Sequence, residues 1–331
     1  MLKNDTGTCR RRFLMSGLSV LALPAASAVR AQTLNYPERP VTIIADAAPG
    51  STPDIDARLC AEALTQMWGQ QVIVVNHAGA FGSLATRAAS EAPADGYTLF
   101  MPSLATFIAA PGIAQNLPLK LPHDFLPIGF TAENPMFIAA SPALGVSTLP
   151  EFIALAKKDP GKITIAANGA GRLTHLTGLV LQDRTGISLV PVPYNGGIAS
   201  AIADVASGRV SMIIEGYSGI FGAVKAGQVK LLAVASHDRL PIFPDLPIVS
   251  ETIPDFFASG WQVLVAPVGT PKPIIDKIAA DLAKVMDDPA FKEKLAKIGS
   301  YSHAMNPEQA LAFVDQQQKT WLPVVEKLSA K

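Results

Sequence analysis

Four short stretches combine glycine with hydroxyl, amide or guanidinium side chains where apolar runs give way to helical spacing. They are "AAPGSTPD" (47–54), "HAGAFGS" (77–83), "NGAGR" (168–172) and "VPYNGG" (192–197). A strand, a glycine-rich loop and a helix together aim backbone N–H groups at one point, and the helix N-terminus favours negative charge there. The chemistry on offer is capture of an anion. None of the four gives the dinucleotide fingerprint or the Walker lysine, so a nucleotide is not indicated. Each loop alone also fits a plain strand-to-helix turn; four together point to a shared site.

Catalytic groupings are absent by the same inspection. His77, His123, His175, His237 and His303 show no metal-ligand spacing, so no zinc site is expected. "GYSGI" around Ser218 departs from the G-x-S-x-G nucleophile elbow. Asp54 and Asp56 are two apart and do not share a helix face. His175 falls in the first turn of its helix, where packing, capping and ligand contact are all open. Glu215 ends an apolar strand and faces either a cleft or solvent, and Trp261 either packs at a junction or senses it.

The loops need a scaffold that holds them on one edge. "PVTIIADA" (40–47), "QVIVVNH" (71–77) and "DGYTLFMP" (95–102) read as buried strands, separated by the helical stretches "PDIDARLCAEALTQMWG" and "SLATRAASEA". Alternation of this kind predicts a parallel, doubly wound sheet with ligands at the C-terminal strand ends. The pattern restarts at "PMFIAAS" and runs through "ITIAAN", "SLVPVPY", "VSMIIE" and "VKLLAVAS", each but the last followed by helical spacing. Two amphipathic helical stretches close the chain. The simplest path leaves one domain, builds a second and returns, with "PIGFTAEN" and "GWQVLVAPVG" as crossovers. That sets domain 1 at 34–133 plus 258–331 and domain 2 at 134–257.

Composition narrows the function further. Of 331 residues, 49% are hydrophobic and 16% charged, which suits a two-domain globular chain. The N-terminal "CRRRFLMSGLSVLALPAASAVRAQT" has a basic start, a short apolar run and small residues. It reads as a secretory signal of twin-arginine type over 1–31, with an uncleaved anchor as the alternative. Residues 1–31 carry five basic residues and one acid, so of 27 of each the remainder keeps 22 basic and 26 acidic. A slightly acidic mature chain argues against a nucleic-acid partner. Cys9 leaves with the signal and Cys60 has no intrachain partner, which suits a core thiol.

Several of these segments resemble one family in order and in detail. They are "YPERPVTIIADAAPGSTPDIDARL", "VNHAGAFGSLATRAASEAPADGYTLF", "VPYNGG" and "APVGTPKPIIDKI". They are similar to the Bug-type solute receptors of tripartite tricarboxylate transporters, over about 36–331. The resemblance implies an α/β, two-domain periplasmic-binding-protein fold (a type II Venus flytrap) with two crossover segments. It implies no enzyme activity, no cofactor, a periplasmic location, and a monomer that presents a small organic carboxylate to membrane subunits. A secreted α/β enzyme acting on a small carboxylate, or a receptor feeding a sensor, remain the alternatives.

By the same resemblance, ligand-binding positions are Ala48, Pro49, Gly50, Ser51, Thr52 and Asp54 in the first domain, with Gly82 and Ser83 nearby. In the second they are Asn168, Gly171, Arg172, His175, Tyr194 and Asn195. The chain departs from the family pattern at Ser51, where a second glycine is usual, and at Phe81, another common glycine. Arg172 replaces a small Ser or Thr, and Asn195 a frequent Lys. Arg172 is therefore expected to pair with an acidic group of the ligand, the alternatives being that it points out of the cleft, lies along its helix or pairs with an acid across the lobes.

Overall fold

The alternation of apolar strands and amphipathic helices produces a mixed α/β molecule. Its computed structural model describes residues 35–109, 116–167, 172–194 and 197–329. In chain order the first part runs β1 (Val41–Ala45), α1 (Thr52–Trp68), β2 (Val72–Asn76), α2 (Ser83–Ser90), β3 (Thr98–Met101) and α3 (Leu104–Ile108). The middle follows with β4 (Phe125–Ala140), α4 (Leu149–Lys158), β5 (Ile163–Ala167), α5 (Leu173–Thr185), β6 (Leu189–Pro193), α6 (Ile198–Ala206), β7 (Met212–Gly216), α7 (Tyr217–Lys225) and β8 (Lys230–Val234). The chain ends with β9 (Ser259–Pro267), α8 (Lys272–Asp287), α9 (Pro289–Lys297) and α10 (Pro307–Ser329). No described helix is long and apolar enough to cross a membrane.

The strands lie in the order β2-β1-β3-β9-β4-β7-β5-β6, with β8 also on β4. β1 is parallel to β2 and β3, and β5 is parallel to β6 and β7. The sheet is not parallel throughout, as the alternation alone predicts. β4 and β9 run antiparallel to each other and to their outer neighbours. The two crossover stretches are themselves these strands. "PIGFTAEN" and "PMFIAAS" are one continuous 16-residue strand, which pairs with β9 over Phe125–Pro135 and with β7 and β8 over Met136–Ala140. Phe, Ile and Ala prevail in β4 and Val, Leu and Trp in β9, and both strands are buried almost throughout, so pairing there removes apolar surface on both faces.

Strand alternation feeds separate cores. Val41 and Ile43 of β1, with Leu99 and Met101 of β3, pack against α1, α8 and α9. Ile44 and Phe100, one residue out of phase, join a core that continues through β4, β5 and β7 to Ile165, Met212 and Ile214. Ala166 and Ile213 face a third cluster with α6 and α7. This is the period-2 rule applied to a sheet covered on both faces.

Local signals set the helix ends that matter for the site. Pro53 occupies the first turn of α1, and Gly69 closes that helix in the left-handed conformation. Arg172 is the N-cap of α5, which ends at left-handed Gly186. Two elements escaped sequence reading. α3 is only five residues and follows β3 without a polar cap bond, and α7 begins at Tyr217 directly off β7. Cys60 is buried, and its thiol is pushed up to about 12 by burial and then by the charge of Asp56, as suits a core thiol.

Candidate functional site

A cavity of about 330 Å³ opens where the parallel strands end. Each of those strands or the loop after it contributes, and β4 and β9 cross its floor. From the first half come Ala48, Ser51, Thr52 and Pro53 after β1, Ala78–Ala80 after β2, and Ser103–Ala105 after β3. From the second half come Arg172–Thr174 after β5, Tyr194, Gly197 and Ile198 after β6, and Glu215 at the end of β7. Asn134 and Met136 of β4 and Gly260 and Trp261 of β9 complete it.

Of the residues singled out in the sequence, Ala48, Ser51, Thr52, Arg172 and Tyr194 line this cavity. Asn168, Gly171 and Asn195 lie outside the described residues. Pro49, Gly50, Asp54, Gly82, Ser83 and His175 are not among the lining residues. Asp54 braces the loop instead. Its carboxylate accepts the Gly50 N–H at 2.9 Å and the Asn76 amide at 2.8 Å, and pairs with Arg58 at 2.9 Å. Burial pushes that carboxyl up, but Arg58, Asn76 and the Gly50 N–H together hold it below the usual range. Gly82 takes a φ of +93°, and a Cβ there would fall 2.4 Å from Thr106 Oγ1. Only glycine allows that approach. Ser83 opens α2. His175 sits in the first turn of α5, and burial lowers its pKa.

Several lining side chains are committed to the scaffold. Ser51 donates its hydroxyl to the Ala48 carbonyl at 2.7 Å, and Tyr194 donates to Asp204 at 2.5 Å. Burial first, and then Asp204, push the Tyr194 hydroxyl up to about 12. Thr52 Oγ1 accepts the Gly219 N–H at 3.1 Å, tying the start of α1 to α7. Ser103 donates both N–H and hydroxyl to the buried Asp46 carboxylate, at 3.0 and 2.8 Å, and Thr106 donates a third hydrogen bond. Arg172 reaches across the cavity and donates from Nη2 to the backbone carbonyl of Asp46. That bond joins the β5–α5 loop to the end of β1. Nη2 is one of three donor nitrogens in a five-hydrogen fork, and Arg172 lines the cavity.

Sequence reasoning passed over Ser103, Leu104, Thr174, Asn134, Met136 and Gly260. The first two follow from applying the strand-end rule to β3, which has no glycine loop to draw attention. Asn134, Met136 and Gly260 lie inside strands, where only the sheet order shows that they cross beneath a cavity. Among the described residues, no group of three or more His, Cys, Asp or Glu is placed to hold a metal ion.

Residues 56–330 match the model of the tripartite tricarboxylate transporter family receptor. The chain belongs to that family. It is 31% identical to protein BugT of Bordetella pertussis over 323 residues, covering 97% of this chain and 98% of BugT. Among solved structures, the periplasmic binding protein BugD is 33% identical with a TM-score of 0.81, covering 89% of this chain and 99% of BugD. A receptor solved with adipate, Rpa4515 of R. palustris, is 26% identical with a TM-score of 0.83, covering 89% and 98%. The fold of this receptor is thus the periplasmic-binding-protein fold, and the family is one of solute-binding receptors rather than enzymes.

Proposed function

We propose that this receptor captures one small organic carboxylate in the cavity between the two halves of its sheet and presents it to the membrane subunits of a tripartite tricarboxylate transporter. The observation that carries the reading is Arg172, the one Lys or Arg among the described lining residues, set at the N-terminus of the 13-residue α5. A guanidinium and a helix N-terminus at one spot form an anion site. The binding of adipate by a relative of the same fold supports a carboxylate as the anion.

The receptor works as a monomer of two lobes, 34–133 plus 258–331 and 134–257. The change of partner along β4 at Pro135/Met136 supports that division. Loops from both lobes surround the ligand, so its binding draws them together. Export to the periplasm, with removal of 1–31, completes the assignment, and the family supports it. Ala48, Ser51 and Thr52 stand on the first-lobe wall with Asp54 bracing it, and Arg172 and Tyr194 on the second. Pro49, Gly50, Gly82, Ser83, His175, Asn168, Gly171 and Asn195 enter the proposal as further ligand-binding positions on the family resemblance alone.

Thermal melts with matched acids and primary amides test the chemistry. Acids are expected to raise the melting temperature and their amides to leave it unchanged. Equal stabilisation by acid and amide would remove the carboxylate from the reading.

A further inference from the structure

We infer that Asn134 sets specificity by holding its side-chain oxygen to the cavity as an acceptor, so that the carboxylate captured there also carries a hydrogen-bond donor, a hydroxyl or an ammonium group. The inference rests on the carboxylate reading above and names the ligand class within it.

The sequence puts an amide in the middle of a buried strand. Asn134 lies on β4, and strand alternation turns its side chain to the same face as Met136, which lines the cavity with it. A buried amide has to place two N–H groups and one carbonyl oxygen. The scaffold takes both N–H groups. Nδ2 donates to Asp56 Oδ2 at 2.6 Å and to Ser300 Oγ at 2.8 Å. All three residues are buried, Asn134 at 2% exposure, so the amide is clamped.

The clamp also fixes which way round the amide sits. An ionised carboxylate accepts and cannot donate. The Ser300 hydroxyl stabilises the same carboxylate by hydrogen bonding, so its proton points to Asp56 and its oxygen accepts from Asn134. Turning the amide over would set Oδ1 against the Asp56 carboxylate, two acceptors with no hydrogen between them. Burial raises the Asp56 pKa to about 7, so above that pH the ionised form predominates.

Oδ1 is the group left over. Among the described residues nothing donates to it, and unlike Oδ1 of Asp56 it is not sealed from the cavity. A ligand that covers this oxygen without offering it a hydrogen leaves an acceptor desolvated and unpaired.

The acceptor stands close to the cationic wall. Asn134 pairs with Gly260 across the β4–β9 ladder. The Asn134 carbonyl oxygen and Leu173 Cδ2 lie 3.6 and 3.5 Å from where a Gly260 Cβ would stand. Leu173 separates Arg172 from Thr174, whose buried Oγ1 has no partner among the described residues. A ligand with its carboxylate at the start of α5 therefore lays its carbon chain towards Asn134.

Calorimetry at pH 8 on the mature protein, freed of co-purified ligand, compares acids that differ only in the donor. The pairs are succinate with malate and aspartate, and butyrate with its 2-, 3- and 4-hydroxy and amino derivatives. At least one hydroxy or amino acid is expected to bind about ten- to a hundredfold more tightly than its parent, and which of the two does so identifies the donor. The O-methyl ether of a preferred hydroxy acid keeps the oxygen, loses the hydrogen and is expected to lose the advantage. Asn134→Leu is expected to erase most of the preference. The ratio is the readout, because a cleft that is merely loosened weakens parent and derivative alike. The wild-type comparison decides the matter even if that variant fails to fold. Parent acids that bind as tightly as every derivative would overturn the inference and leave the carboxylate reading standing, as would a preference that survives in folded Asn134→Leu protein. Neutral amides that bind as tightly as the preferred acids would overturn both, and so would binding by none of the acids.

Discussion

Arg172 shows how much one substitution against a family pattern can change. Its Nη2 is held by the Asp46 carbonyl, and Asp46 is itself fixed by Ser103 and Thr106. The guanidinium is therefore oriented before any ligand arrives. A charge-assisted hydrogen bond is worth roughly 1.5–3 kcal/mol. Arg172→Ala is expected to weaken binding of the native solute about ten- to a hundredfold. Arg172→Lys is expected to recover only part of that, because the fork is lost. Calorimetry on both variants reads the effect; unchanged affinity in the alanine variant would remove Arg172 from the ligand.

Asp56 yields a second expectation at this scale. It is buried, accepts the Asn134 amide at 2.6 Å, and leaves Oδ1 without a partner. Burial raises its pKa to about 7, against the opposing effect of Ser300 and Asn134. A carboxyl whose folded pKa exceeds its unfolded value binds a proton on folding. Its contribution to stability therefore falls as pH rises from about 4 to about 7, and levels off above. Asp56→Asn removes that slope while keeping an oxygen for Asn134. The variant is expected to gain on the wild type by roughly 1–3 kcal/mol between pH 5 and pH 8. Denaturant melts at the two pH values measure it; parallel pH profiles for the two proteins would contradict it.

At the scale of elements, the close approach of α1 to α7 holds the first-half loop against the second half. A Cβ at Gly216 would fall 2.5 Å from Thr52 Oγ1 and 2.6 Å from Thr52 Cγ2. Gly216→Ala is expected to destabilise by about 1–3 kcal/mol through overpacking. Thr52→Ala in the same chain is expected to relieve part of that cost, so the two changes couple in a double-mutant cycle. Strict additivity would show that the two helices do not meet there.

The elements also show what a sequence reveals and what it conceals. β1 and β2 were legible because β-branched runs lead into glycine loops, β3 because an Asp-Gly turn leads into an apolar run, and α1 because Pro53 and Gly69 bracket it. β4 was not legible as one strand. Pro127, Gly129 and Pro135 interrupt its pattern, and only pairing with β9 on one side makes it continuous. In the site, Ser51, Thr52, Arg172 and Tyr194 announce themselves by standing beside glycines. Thr174 and Ser103 carry no such mark, and their importance comes from what their hydroxyls do or do not meet. Asp54 stood in the right loop, yet its partners Arg58 and Asn76 are far enough away in sequence, or ordinary enough, to hide its bracing contacts.

For the whole molecule, two consequences follow from the proposed receptor. Closure around a ligand reduces the radius of gyration in solution scattering and alters the emission of Trp261, one of three tryptophans and the one that lines the cavity. A saturating ligand that leaves both unchanged would contradict closure. Export places the mature N-terminus between Val29 and Gln32, which N-terminal sequencing of secreted protein reads directly.

The most direct test of the central claim is mass spectrometry of the small molecule released from receptor purified gently from its own cells. The account expects one organic carboxylic acid at near-equimolar yield, and its loss from Arg172→Ala protein purified in the same way. A stoichiometric neutral or cationic ligand, or an acid retained equally by the alanine variant, would contradict it.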